Sequence, residues 1–139
     1  MVRADVVGRK VARATAWLAD ASAILARPRE EYLADRRQRD VASFYLQLAI
    51  QEAIDLAAHW VSDEGWTPPA DASATFDVLA ERGAIDRELA SSMRAAVGVR
   101  NRIAHGYAGL DHERLHAEAS SGVRDVKRFL PAIAAAVGL

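Results

Sequence analysis

Residues 98–107 read Gly-Val-Arg-Asn-Arg-Ile-Ala-His-Gly-Tyr and bring Arg100, Asn101, Arg102, His105 and Tyr107 to one helix end. A guanidinium and an imidazole in proximity suit phosphate chemistry. The first grips charged oxygens through two parallel N–H bonds, and the second moves a proton near neutral pH. The chain has four histidines and no cysteine, so thiol nucleophiles, disulfides and thiolate zinc sites are excluded, and histidine and carboxylates carry whatever chemistry there is.

Spacing alone leaves the motif open. At 100° per residue, Arg100 and His105 stand about 140° apart on a straight helix, whereas Arg102 and His105, three apart, share a face. For Arg100 and His105 to cooperate, the helix must unwind before Gly106, the arginine must wrap round, or the two groups must meet across a dimer seam. The same residues also fit a plain helix end, with His105 favourable to the dipole, Gly106 as a left-handed cap and Tyr107 as a packing residue. A second histidine pattern, His112-Glu113-Arg114-Leu115-His116, formally matches H-E-x-x-H. No third ligand stands near it, and it falls in the first turn after a capping aspartate, so it reads as two exposed helix residues rather than a zinc site.

The elements that must position these groups are helical throughout, since no segment shows period-2 alternation rich in β-branched residues. A first helix is expected over Asp5–Ala26, with Val7, Val11, Ala14, Trp17, Leu18, Ala21 and Leu25 inward and Arg9, Lys10, Arg13 and Asp20 on the other face. A second, starting between Leu33 and Val41, carries apolar residues from Phe44 through Trp60 and Val61 on more than one stripe and ends at Asp63-Glu64-Gly65. A short third spans Ala72–Arg82, closed by Gly83. Asp86 caps a fourth that stops at Gly106, and Asp111 caps a fifth in which Pro131 is expected to bend the chain. The fold expected is an all-α, up-down bundle of four long helices and one short one, in a single domain over residues 1–139. The breadth of the second helix, with Trp60 and Trp66, suggests either a thick core or a helix-on-helix homodimer.

Composition sets the function classes. With 51% hydrophobic and 27% charged residues, 139 residues suffice for a real core. There is no apolar run of membrane-spanning length and no signal-peptide core, so the expectation is a cytoplasmic protein without membrane contact. Eighteen basic residues against nineteen acidic ones are unlike a non-specific nucleic-acid binder, so any RNA contact must be local. Arg36, Arg37 and Arg39, read as a solvated face, and Arg94, Arg100 and Arg102 are the two concentrations that could supply it.

The decapeptide resembles the R-x-x-x-x-H-x-Y motif of the HEPN superfamily, specifically of HepT-like toxins, and Leu46–His59 is similar to that family's second helix. Val99 departs from it where an aromatic is common, which touches packing more than chemistry. The resemblance implies a HEPN-like fold and a metal-independent endoribonuclease, needing no cofactor, that acts as the toxin of a toxin–antitoxin pair. It further implies a homodimer in which the motifs of two protomers line one cleft. Carried over, Arg100 would hold the scissile phosphate, His105 would transfer protons, and Asn101 and Arg102 would support the site and the RNA. Tyr107 would be AMPylated by a partner MntA-like minimal nucleotidyltransferase. A non-catalytic RNA- or nucleotide-binding module would keep the arginines yet tolerate loss of His105. An accessory subunit of a nucleotidyltransferase would tolerate loss of both.

Overall fold

The computed structural model describes residues 4–106 and 109–139. Among these described residues six α-helices follow in order: α1 (Ala4–Leu25), α2 (Arg29–Ala34), α3 (Arg36–Asp63), α4 (Ala72–Glu81), α5 (Arg87–His105) and α6 (His112–Ala136). Among the described residues there is no strand, and no helix is long and apolar enough to cross a membrane.

Aspartate starts four of the six. The side chains of Asp35, Asp71, Asp86 and Asp111 accept the backbone N–H three residues on, from Gln38 (3.2 Å), Ala74 (2.8 Å), Leu89 (2.7 Å) and Arg114 (3.0 Å). Each bond satisfies a donor that the first turn leaves without an intrahelical partner and contributes about 1 kcal/mol. Gly65 and Gly83, at φ 73° and 76°, take the left-handed conformation just after α3 and α4.

Helix α3 packs against all five of the others, most extensively α1. That arrangement is why its apolar residues exceed one stripe. Leu46, Ile50, Ala53, Leu56 and Ala57 are buried in one continuous core with Val7, Ala14, Leu18 and Ala21 of α1. Farther along, the Phe129 ring of α6 meets Phe76 of α4 edge-on at 5.2 Å and Trp60 at 6.4 Å. These rings close the end opposite the chemistry-bearing corner.

Several expectations shift. The six-residue α2 is added before the second long helix; it opens after Pro28 with Glu30 and Glu31 in its first turn and buries Tyr32 completely. It is too short to show a helical apolar period. Lys10 and Arg13 do not merely face water: Lys10 Nζ lies 2.9 Å from Glu52 Oε1 and Arg13 Nη2 3.0 Å from Oε2, neutralising a carboxylate only 6% exposed within the core face of α3. Pro131, where a bend is expected, is exposed inside α6, and the helix runs on past it to Ala136. The apolar surplus divides. Trp60 belongs to the core and Trp66 lies under the Arg82 guanidinium at 5.6 Å, but Val41 and Phe44 are 37% and 56% exposed.

Candidate active site at the α5–α6 corner

Helix α5 is locked in register at both ends. Asp86 caps its start, while Ala96, Val97, Val99 and Ile103 are buried on its inner side. The helix continues unbroken through Arg100 to His105, and the Gly106 N–H closes it onto the Arg102 carbonyl at 2.9 Å. Unwinding before Gly106, one of the three routes by which Arg100 could reach His105, is therefore not taken. Gly106 caps the helix without the left-handed conformation expected of it: at φ −101° any residue fits by backbone angle, and what holds the glycine is crowding, since a Cβ would lie 2.6 Å from the Arg102 carbonyl oxygen.

The motif divides around the helix as its spacing predicts. Asn101, Arg102 and His105 line an open groove of about 480 Å³ completed by Gly106, Gly109, Leu110, Asp111, Arg114 and Leu115. Arg100 is not among its walls. It is half-buried, and its Nε is shielded from solvent with no hydrogen bond among the described residues. Asn101 and His105 are exposed, and His105 joins Arg102 in the last turn, where positive charge suits the helix dipole. Tyr107 lies outside the described residues. The second arginine concentration does not assemble as one patch, because Arg94 turns away to pair with Asp77 of α4.

Two residues beside Arg102 lay outside the sequence reading of the site, Arg114 in the groove wall and Glu118 behind it. Glu118, on the second turn of α6, accepts from Arg102 across the helix pair and from Arg114 Nε at 2.8 Å on its own helix. Burial pushes the Glu118 carboxyl up, but the bonds from Arg114 and Arg102 outweigh it and hold it below the usual carboxylate range. The Arg114–Glu118 half of this arrangement is visible as an i,i+4 pair. Its junction with Arg102, sixteen residues back, depends on how α5 and α6 turn at the corner.

On the far side of α6, His112 and His116 are half-buried instead of exposed. The His116 ring packs on Tyr32 of α2 at 4.8 Å, and His112 Nδ1 and His116 Nε2 are both sealed from solvent without hydrogen bonds among the described residues. The Tyr32 hydroxyl sits near Ser43 without a bond of normal geometry. Burial depresses the His112 pKa, helped by Arg39 and opposed by Asp40 and Asp111. Among the described residues no group of three or more histidine, aspartate or glutamate side chains is placed to hold a metal ion.

The comparisons with known proteins agree with one another. A protein of Archaeoglobus fulgidus named "Putative RNase" is 36% identical over 88 residues, 63% of this chain and 63% of that protein, so the chain spans under two thirds of this relative's length. A solved structure of a tri-AMPylated Shewanella oneidensis HEPN toxin in complex with an MNT antitoxin superposes with a TM-score of 0.84 at 21% identity, over 94% of this chain and 98% of that one. A toxin–antitoxin crystal structure with AMP-PNP gives 0.83 at 20% identity, over 93% and 98%. At that identity the two structures establish the fold. The model of the HepT-like ribonuclease family, described as "Ribonuclease HepT-like", matches residues 17–133, which takes in every helix of the bundle in whole or in part, and the chain belongs to that family.

Proposed function

We propose that this protein is a metal-independent endoribonuclease acting as the toxin of a toxin–antitoxin pair, with Arg100 and His105 as its catalytic residues. The observation that carries the reading is the R-N-R-I-A-H run ending α5 at an open groove in a chain of the HepT-like ribonuclease family. RNA brings its own nucleophile. A base takes the 2′-hydroxyl proton, O2′ attacks phosphorus, the P–O5′ bond breaks, and an acid protonates the leaving oxygen. The products are a 2′,3′-cyclic phosphate and a 5′-hydroxyl end. Imidazole serves either proton step, and a guanidinium offsets charge growing on the non-bridging oxygens, as a metal ion would elsewhere.

The division of the motif supports a homodimer. With α5 unbroken, Arg100 and His105 of one chain point apart, so we place Arg100 of one protomer opposite His105 of its partner in a shared cleft. Exposed Val41 and Phe44 supply apolar surface for such an association. Silencing follows from the position of Tyr107, two residues beyond His105. A partner nucleotidyltransferase of the MntA type would transfer AMP from ATP to its hydroxyl, releasing pyrophosphate. The bulky anion would then compete with RNA phosphate for the arginines. The Shewanella neighbour, an AMPylated HEPN toxin bound to an MNT antitoxin, supports the same reading.

The test is RNA cleavage by purified protein in EDTA. Wild type is expected to cut and leave cyclic phosphate ends, and His105→Ala and Arg100→Ala to be inactive while folded. Mixing the two inactive variants should restore about one quarter of wild-type activity, because half the re-formed dimers then hold one intact composite site. Co-expression with the nucleotidyltransferase should add AMP mass at Tyr107, and Tyr107→Phe should stay toxic. Undiminished cleavage by folded His105→Ala protein, or loss of cleavage in EDTA, would sink the catalytic assignment.

A further inference from the structure

We infer that Arg114 and Arg102 form a second phosphate-binding subsite for RNA, set beside the catalytic pair, and that Glu118 is the residue that positions them. The inference rests on the ribonuclease reading and deepens it by saying where the strand runs: along the α5–α6 groove, with a backbone phosphate beyond the scissile one lodged at its α6 wall.

Three observations support it. First, Arg102 and Arg114 reach the same 480 Å³ groove from different helices and share it with Asn101 and His105, so a strand whose scissile phosphate lies at His105 passes them. Second, Glu118 leaves most of their donors free. It takes one terminal N–H of Arg102 and the Nε–H of Arg114, and each guanidinium has five N–H donors in a planar fork. The two terminal nitrogens of Arg114, whose side chain is 59% exposed, therefore remain for an incoming anion. Third, both carboxylates of this corner are already engaged. Glu118 is kept ionised by the hydrogen bonds of the two guanidiniums, and Asp111, which also lines the groove, accepts the Arg114 backbone N–H at 3.0 Å, so the guanidinium termini are left to meet the single negative charge of a phosphodiester.

Glu118 thus acts on RNA through the arginines. Its two bonds fix a pair of long side chains that would otherwise lose rotamer freedom on binding, which lowers the entropic cost of association. A carboxylate that only repelled RNA would have the opposite effect on affinity, and this separates the two roles.

The experiment measures binding of a short fluorescent single-stranded RNA to His105→Ala protein, which does not consume it, across a salt series. Arg114→Ala in that background is expected to raise Kd roughly tenfold, as befits a hydrogen bond from a charged donor, and to flatten the slope of log K against log salt by about 0.7. Arg114→Lys should recover the slope but only part of the affinity. Arg87→Ala removes an exposed arginine at the other end of α5, roughly 22 Å away along the helix, and should change neither. Glu118→Ala should weaken binding by the fully folded protein, measured well below its melting temperature, with Glu118→Gln, still an acceptor, recovering part of the loss.

Equal Kd and slope for Arg114→Ala and Arg87→Ala would overturn the subsite. Tighter binding by Glu118→Ala would overturn the positioning role. No binding by the His105→Ala parent together with no cleavage by wild type would instead bring down the ribonuclease reading itself.

Discussion

His105 and His112 stand seven positions apart in sequence on either side of one helical corner, yet they occupy opposite physical regimes. His105 ends α5 exposed at an open groove, with Arg102 and Arg114 nearby and no hydrogen-bond partner among the described residues. His112, with His116, is turned inward against α2 and α3, its Nδ1 sealed and its protonation disfavoured by burial. An imidazole serves as a proton shuttle only where a substrate can reach it and both of its protonation states are tolerated. The first site meets the requirement of access, with His105 exposed at the groove. The second uses the same side chain as a packing element beside Tyr32.

The largest expected effect comes from exchanging function for nothing at the open site. His105→Ala should lower the RNA cleavage rate by roughly 100- to 10,000-fold, the usual contribution of a positioned acid or base. Melting should be nearly unchanged, because an exposed side chain without partners contributes within about 0.5 kcal/mol. A large fall in melting temperature would mean the two regions are less distinct than their burial implies.

Tyr32→Ala inverts that pattern. The ring is fully buried between α2, α3 and α6, and its removal should cost about 3 to 5 kcal/mol in thermal or urea unfolding, while the cleavage rate per folded molecule stays within a few-fold of wild type. Loss of cleavage without loss of stability would place Tyr32 and its histidine neighbours in the chemistry after all.

The smallest effect is a pH dependence. The folded-state pKa of His112 lies below its ordinary value of 6.5, so between those two values the unfolded chain binds more protons than the folded one, and stability rises with pH. Acidifying from about pH 7 through that window should therefore lower the melting temperature, and His112→Gln should flatten this part of the profile. Asp35 and Glu118, whose folded pKa values are also depressed, lose their contributions at lower pH and remain in the variant. A profile unchanged by His112→Gln would show that the ring is not sealed in solution.

The contrast between the sites also marks how far the sequence could be read. Asp86, Gly106 and Asp111 announce the end of one helix and the start of the next because capping and chain reversal are local events, decided by a side chain and the amide three residues on. The separation of Arg100 from His105 follows from helical pitch alone. The α2 turn, the inward rotation of His112 and His116, and the meeting of Arg102 with Glu118 were not legible. Each depends on which face a neighbouring helix presents, and residues distant in sequence decide that. Phe44 fits the apolar pattern of α3 as well as Ile50 does, and only the packing of the whole bundle leaves the one exposed and the other buried.

The crowding at Gly106 gives the site a mechanical property that none of its charged residues has. A single added methyl would press on the carbonyl of Arg102, the residue whose guanidinium lines the groove and whose oxygen closes the last turn beneath His105. Relief requires that turn to open, which would carry the imidazole and the guanidinium away from their places together. Position 106 is thus a lever: the smallest change a gene can make to it shifts the whole edge of the groove without altering one ionisable group.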